Sequence, residues 1–218
     1  MPLQYERLRK NMVDCQLLPN KITDEAVIAA FSMTAREHYL PRNLDKKAYS
    51  DCELMIAPNR MLSTPLSNAT LLQALSISTH DQVLIVGVAS GYLMAVCAQI
   101  TENVYGIDHD AKHITQAQSD LEAHDITNAF AIHTDPVKGC PEFAPFDVII
   151  FDGAIDVLPE CFVDQLVAGG RIGMCQMIDG LPRLSIQQKS GEALHLSACF
   201  DFTLPDLPRF QAPVEFRL

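Results

Sequence analysis

The sequence predicts an α/β fold: a doubly wound, mostly parallel Rossmann-like sheet with an antiparallel C-terminal edge hairpin and an N-terminal helical extension. Three observations carry this. After residue 80, short apolar runs (QVLIVG, NVYGID, AFAIHT, FDVIIFDG, GRIGMCQ) alternate with helix-length segments. That is the pattern of βαβ units on a sheet covered on both faces. The first run passes straight into VASGY, small residues between Gly87 and Gly91, as a buried strand does when it turns into a helix. Before residue 80 the apolar spacing is helical instead.

In chain order, Tyr5, Leu8, Met12 and Cys15 form one helical stripe in YERLRKNMVDCQLL. Thr23 is the expected N-cap of TDEAVIAAFSM, with Asp24 and Glu25 in its first turn. Pro41 ends that region, and a third helix follows Pro65. LMAVCAQI, DAKHITQAQSDLEAH and PECFVDQLV supply the helices between strands. PRLSIQQKSGEALHLSACFDF reads as two strands around KSGE, and the proline-rich TLPDLPRFQAPVEF as an extended packed tail. The expected organisation is one compact unit, with residues 1–80 contributing a helical segment on the substrate side and 81–218 the ligand-binding domain.

Composition narrows the function. With 48% hydrophobic and 20% charged residues, the 218-residue chain is of ordinary globular type. A net charge of −11, with no basic cluster to offset it, argues against a nucleic-acid partner. No apolar run suits a membrane span or a signal peptide. The seven dispersed cysteines, none in a C-x-x-C pair, suit reduced thiols and a cytoplasmic location. No metal site is expected: His109 and His113 lie four apart without a third ligand. Oligomeric state is left open.

In an open α/β sheet the ligand lies beyond the carboxyl ends of the strands. Gly87, Val88, Ala89 and Gly91 form the close-approach turn. Asp108, followed by His109, ends the next run, where a carboxylate can accept from both ribose hydroxyls. Asp135, followed by Pro136, ends the third, where a carboxylate can accept from an adenine amine. Asp108 as a helix N-cap and Asp135 as a turn initiator are the competing structural roles.

Longer stretches carry a resemblance. NMVDCQLLPNKITDEAVIAAFSMTAREHYLP, AYSDCELMIAPNRMLSTP, FDVIIFDGA and VDQLVAGGRIGM resemble, in order and over nearly the whole chain, segments of the protein-L-isoaspartate O-methyltransferases. The resemblance implies the Rossmann-like methyltransferase fold and S-adenosyl-L-methionine as cofactor. It also implies methylation of the α-carboxylate of L-isoaspartyl residues in damaged proteins, a repair reaction. Isoaspartyl proteins or peptides would be the partners. The family's T-I-S-Q-P segment falls on MLSTP, making Ser63 the catalytic and substrate-binding serine and Thr64 a second substrate-binding residue.

The chain departs from the family pattern at the turn. Where the family reads L-E-I-G-x-G-S-G-Y, Ile85 replaces the acid and Ala89 the middle glycine. Loss of one charged hydrogen bond costs about 1.5–3 kcal/mol, so cofactor anchorage is weakened. The glycine-rich stretch before T-I-S-Q-P has become APNRM. Two alternatives therefore stand beside the repair enzyme: a catalytically degenerate methyltransferase-fold binding or regulatory protein, and a small-molecule methyltransferase.

Overall fold

The computed structural model describes residues 2–212. The chain begins with α1 (Pro2–Met12), which widens into a π-helical turn over Val13–Leu17. The extra residue in that turn rotates the apolar stripe, so Val13 and Leu17 are buried while Cys15, expected on the inner stripe, is exposed. α2 (Glu25–Met33) is capped by Asp24, not Thr23: the Asp24 carboxylate accepts from the amides of Ala26 and Val27. Thr23 instead donates its amide to Gln73, tying this helix start to the next helix.

A small antiparallel hairpin follows, β1 (Leu54–Ala57) and β2 (Arg60–Leu62). It leads into α3 (Pro65–Leu75), with Thr64 as N-cap and Pro65 in the first turn. The main sheet then begins with β3 (Gln82–Val86), α4 (Tyr92–Cys97), β4 (Asn103–Asp108), α5 (Ala111–Ala123) and β5 (Ala129–His133). β6 (Phe146–Ala154), α6 (Cys161–Asp164), β7 (Leu166–Ile178), β8 (Leu181–Ser190) and β9 (Ala193–Phe200) complete it. Only four residues of PECFVDQLV are helical, because Leu166 and Val167 already belong to β7.

The seven strands lie in the order β5-β4-β3-β6-β7-β8-β9. The pairs from β5 through β7 are parallel, and β7-β8-β9 are antiparallel. The antiparallel edge thus contains two hairpins rather than one. The unforeseen one turns at Asp179 and Gly180, both with positive φ (53° and 78°), as a two-residue hairpin turn requires. β3 is the point where the chain leaves for β4 on one side and later returns as β6 on the other. The crevice beyond their carboxyl ends is therefore the natural ligand position.

Strand alternation sends Ile85 and Ile150 to one face, where they pack with residues of α1, α2, α3 and α4. Leu84, Val86, Ile149 and Phe151 face the other side and pack with Phe146, Phe162 and Phe210. The N-terminal helices therefore cover one face of the sheet. Among the described residues no helix is long and apolar enough to cross a membrane.

The proline-rich tail packs across the strand ends. Pro205 and Leu207 exchange backbone hydrogen bonds with Ala154, and Phe210 accepts from the amide of Asp156. The Phe210 ring meets Phe151 edge-on at 5.3 Å. The final residues of the expected tail lie outside the described residues.

Candidate active site

The turn after β3 is built as the glycine pattern implied. Gly87 (φ 91°) and Gly91 (φ 79°) both take left-handed backbone, and a Cβ on Gly91 would lie 2.9 Å from the Cβ of Ala117 on α5. Ala89 stands at φ 51°, also left-handed, at a cost of about 1 kcal/mol for an L-residue. Its methyl group is thus accommodated in a strained position. Val88 and Ala89 are buried, and Ile85, in the family's acid position, is wholly buried in apolar surroundings.

Asp108 ends β4 beside this turn and is 4% exposed. It is not the cap of α5, a role Asp110 fills by accepting from the Lys112 amide. One Asp108 oxygen accepts from the Asp110 amide at 3.0 Å and lies 3.2 Å from Nδ1 of His109. The other lies 3.8 Å from the guanidinium of Arg60, on β2. Asp135 caps the short 3-10 turn Pro136–Lys138, so its turn role is realised, and it pairs with Arg209 of the tail at 3.2 Å. Each of the two acids expected at the adenosine end thus meets an arginine that the sequence reading did not include.

Ser63 is 1% exposed, and its hydroxyl makes no hydrogen bond of good geometry among the described residues. Its carbonyl accepts from Nη2 of Arg36 at 2.6 Å. Thr64, expected to bind substrate, has a structural role as well. Its hydroxyl accepts from the Ser67 amide and meets the Ser67 hydroxyl, so it caps α3.

Arg36 is fully buried with its guanidinium 4.7 Å above the ring of Tyr92. Its Nε and Nη1, and the Nε and Nη2 of Arg60, have no hydrogen-bond partner among the described residues. Asp152, near the end of β6, is 5% exposed in the same region. Burial raises its pKa to about 6, opposed by the charges of Arg60 and Arg36 and by the nearby Ser63 hydroxyl; Asp108 adds to the rise. An unfolded aspartate titrates near 3.9, so between about pH 4 and pH 6 the folded chain binds the proton more readily than the unfolded one. Asp152 therefore lowers stability as pH rises through that window. Urea melts should show Asp152→Asn gaining stability relative to wild type between about pH 4.5 and pH 7; a flat difference would contradict it.

Gly87, Asp108, His109, His113, Arg60 and Leu207 line a cavity of about 200 Å³ at the strand ends, with Pro136 at its margin. A second cavity of about 690 Å³ lies on the N-terminal side, against Tyr39, Arg42, Ala89 and Ser90, and shares His113 with the first. Among the described residues no group of three metal-ligating side chains occurs. The donor set suits an S-adenosyl compound: acids ending adjacent strands for the nucleoside, and unpartnered buried donors toward Ser63 for a charged amino-acid end. The space is smaller than the roughly 300 Å³ at which ligand pockets begin. Gly87 explains why. A Cβ built there would lie 2.5 Å from Leu207 and 2.6 Å from Arg60, so these two side chains already occupy the approach that the glycine opens.

Comparison with known proteins decides the lineage. The family described as protein-L-isoaspartate(D-aspartate) O-methyltransferase matches residues 8–194. The chain belongs to the protein-L-isoaspartate O-methyltransferase family. It is 36% identical over 173 residues to the protein-L-isoaspartate O-methyltransferase of Opitutus terrae, covering 77% of this chain and 74% of that one. It is 32% identical to that of Methanoculleus marisnigri, covering 76% of each. A Plasmodium falciparum β-aspartate methyltransferase, crystallised with S-adenosyl-L-homocysteine, superposes with TM-score 0.77 at 20% identity, over 93% of this chain and 97% of that one. A further protein-L-isoaspartate O-methyltransferase structure gives TM-score 0.77 at 23% identity, over 90% of this chain and 65% of that one. At these identities the superpositions speak for the shared fold.

Within a protein-L-isoaspartate O-methyltransferase frame, sequence reading had missed Arg36, Arg60, Asp152 and the tail residues Leu207 and Arg209. Asp152 carried a usable signal, since it follows the apolar run VIIF as Asp108 follows its own. Arg60 and the tail carried none, because only tertiary packing brings them to the turn.

Proposed function

We propose that this chain is an S-adenosyl-L-methionine-dependent O-methyltransferase that esterifies the α-carboxylate of L-isoaspartyl residues in damaged proteins or peptides, in the cytoplasm. The observation that carries this reading is the buried Asp108 carboxylate beside the Gly87–Gly91 turn, in a chain of this family. When bound, the cofactor supplies a methyl group on a sulfonium that is itself the leaving group. Asp108 holds the ribose hydroxyls, with His109 beside it, and Asp135 and Pro136 bound the adenine. Gly87, Val88, Ala89 and Gly91 shape the turn. Ser63 positions the acceptor carboxylate, which is already ionised at neutral pH, so no general base is required. Residues 1–80 contribute the substrate side, and their helices exclude water from the site.

Loading requires Arg60 and Leu207 to move from Gly87, and Arg209 to release Asp135. That closure favours a second reading, a methyltransferase-fold binding module without turnover. Calorimetry with S-adenosylmethionine and S-adenosylhomocysteine, followed by methyl transfer to an isoaspartyl peptide and its aspartyl counterpart, separates the two. Micromolar binding with transfer to the isoaspartyl peptide alone is the expected result. Binding without transfer, or no binding at millimolar ligand by a folded chain, would overturn the enzyme reading.

A further inference from the structure

The family's acid before the glycine turn is lost here, since Ile85 occupies its place on β3. The neighbouring strand compensates. β3 and β6 are parallel and in register, Ile85 opposite Ile150 and Val86 opposite Phe151. Ile85 and Ile150 share one sheet face, and Val86 and Phe151 the other. β6 is irregular against β7 between Ile150 and Ala154, but Phe151 and the position of Gly153 face the cluster of Leu207, so Asp152 between them lies on the face of Ile85, one strand over from the Gly87 turn.

A counter-ion for the buried arginines is the ordinary explanation of such an acid. The geometry is poor for that role. The ion pair of Arg60, at 3.8 Å, is with Asp108, and the Arg36 contact goes to the Ser63 carbonyl. Among the described residues Nε and Nη1 of Arg36, Nε of Arg60, the Ser63 hydroxyl and the Tyr92 hydroxyl are buried without a hydrogen-bond partner of good geometry. One carboxylate surrounded by uncommitted donors matches a group carrying both an ammonium and a carboxylate.

We propose that Asp152 anchors the α-ammonium group of the cofactor's amino-acid end, supplying from β6 the carboxylate that β3 lacks at Ile85. This rests on the methyltransferase reading above. Arg36, held to the Ser63 carbonyl by Nη2, keeps Nε and Nη1 without a partner among the described residues, and these meet the accompanying carboxylate. The nucleoside end stays with Asp108 and Asp135.

The test compares two ligands by calorimetry. S-adenosylhomocysteine carries the amino-acid end, whereas 5′-methylthioadenosine keeps the nucleoside and thioether without it. In Asp152→Asn, S-adenosylhomocysteine affinity should fall at least about tenfold, with 5′-methylthioadenosine affinity unchanged within about twofold. A merely structural acid would weaken both ligands together or neither, and either outcome overturns the assignment. Should Asp152→Asn fail to fold, Asp152→Glu, which keeps the charge but moves it by one methylene, carries the same comparison and must also discriminate between the ligands. This discrimination in Asp152→Asn, together with no methyl transfer by wild type, would sink the enzyme reading and leave the anchor standing. Wild type that binds neither ligand would overturn both.

Discussion

Asp108→Asn should weaken S-adenosylhomocysteine binding by about a hundredfold and, unlike Asp152→Asn, should weaken 5′-methylthioadenosine equally. The reason is which end of the ligand each acid serves. Asp108 ends β4 beside the glycine turn, is nearly fully buried, and is oriented by the Asp110 amide. Two hydrogen bonds to a charged acceptor, each worth about 1.5–3 kcal/mol, make a loss of roughly 3 kcal/mol a conservative expectation. At 1.4 kcal/mol per tenfold that is about two decades in affinity. Asparagine keeps the size and one acceptor oxygen, so packing against Arg60 changes little. Calorimetry with both ligands reads the result. An affinity within about threefold of wild type would remove Asp108 from the site.

The second large effect is on stability. Arg36→Ala should cost about 3–5 kcal/mol, measured by urea denaturation at neutral pH. Arg36 is wholly enclosed, donates to the Ser63 carbonyl and stacks over Tyr92. Its removal leaves that carbonyl unpaired, abolishes a desolvated cation–π contact and opens a cavity among α2, α3 and α4. It also withdraws one of the two positive charges that offset the burial of Asp152, and an uncompensated buried charge is the costliest part of breaking such a cluster. The total is a large share of the roughly 5–15 kcal/mol available to a folded domain. A loss below about 1 kcal/mol would show that the guanidinium is not part of the buried framework. Because Arg36 holds the backbone of Ser63, any folded variant should also transfer methyl groups more slowly.

Much of this architecture is legible because its signals are local. QVLIVG, NVYGID, AFAIHT and FDVIIFDG are apolar runs bounded by breakers, and each became a strand of the parallel sheet. Gly87 and Gly91 declared their left-handed backbone in the sequence, since little else tolerates it. Errors arose where two local rules competed. Thr23 and Asp24 are both good caps, and the Gln73 side chain, fifty residues away, engages the Thr23 amide and leaves the cap to Asp24. At the start of α3 the cap is Thr64, and among the described residues the Ser63 hydroxyl has no hydrogen-bond partner of good geometry.

The sequence alone determined the sheet, the glycine turn and the acids that end β4 and the strand beyond it, because period, breakers and strand ends are properties of neighbouring residues. It also determined what is missing from the turn, the acid at Ile85 and the glycine at Ala89. Tertiary structure alone decided what fills the crevice. Arg60 reaches Asp108 from a three-residue strand, Leu207 reaches Gly87 from a proline-rich tail, and Asp152 comes beside the turn only through the register of β3 with β6. These contacts join residues 48 to 120 positions apart, and no periodicity encodes them. They depend on how sheet, hairpin and tail close around one set of strand ends, where a buried charge is stable only with its partners in place.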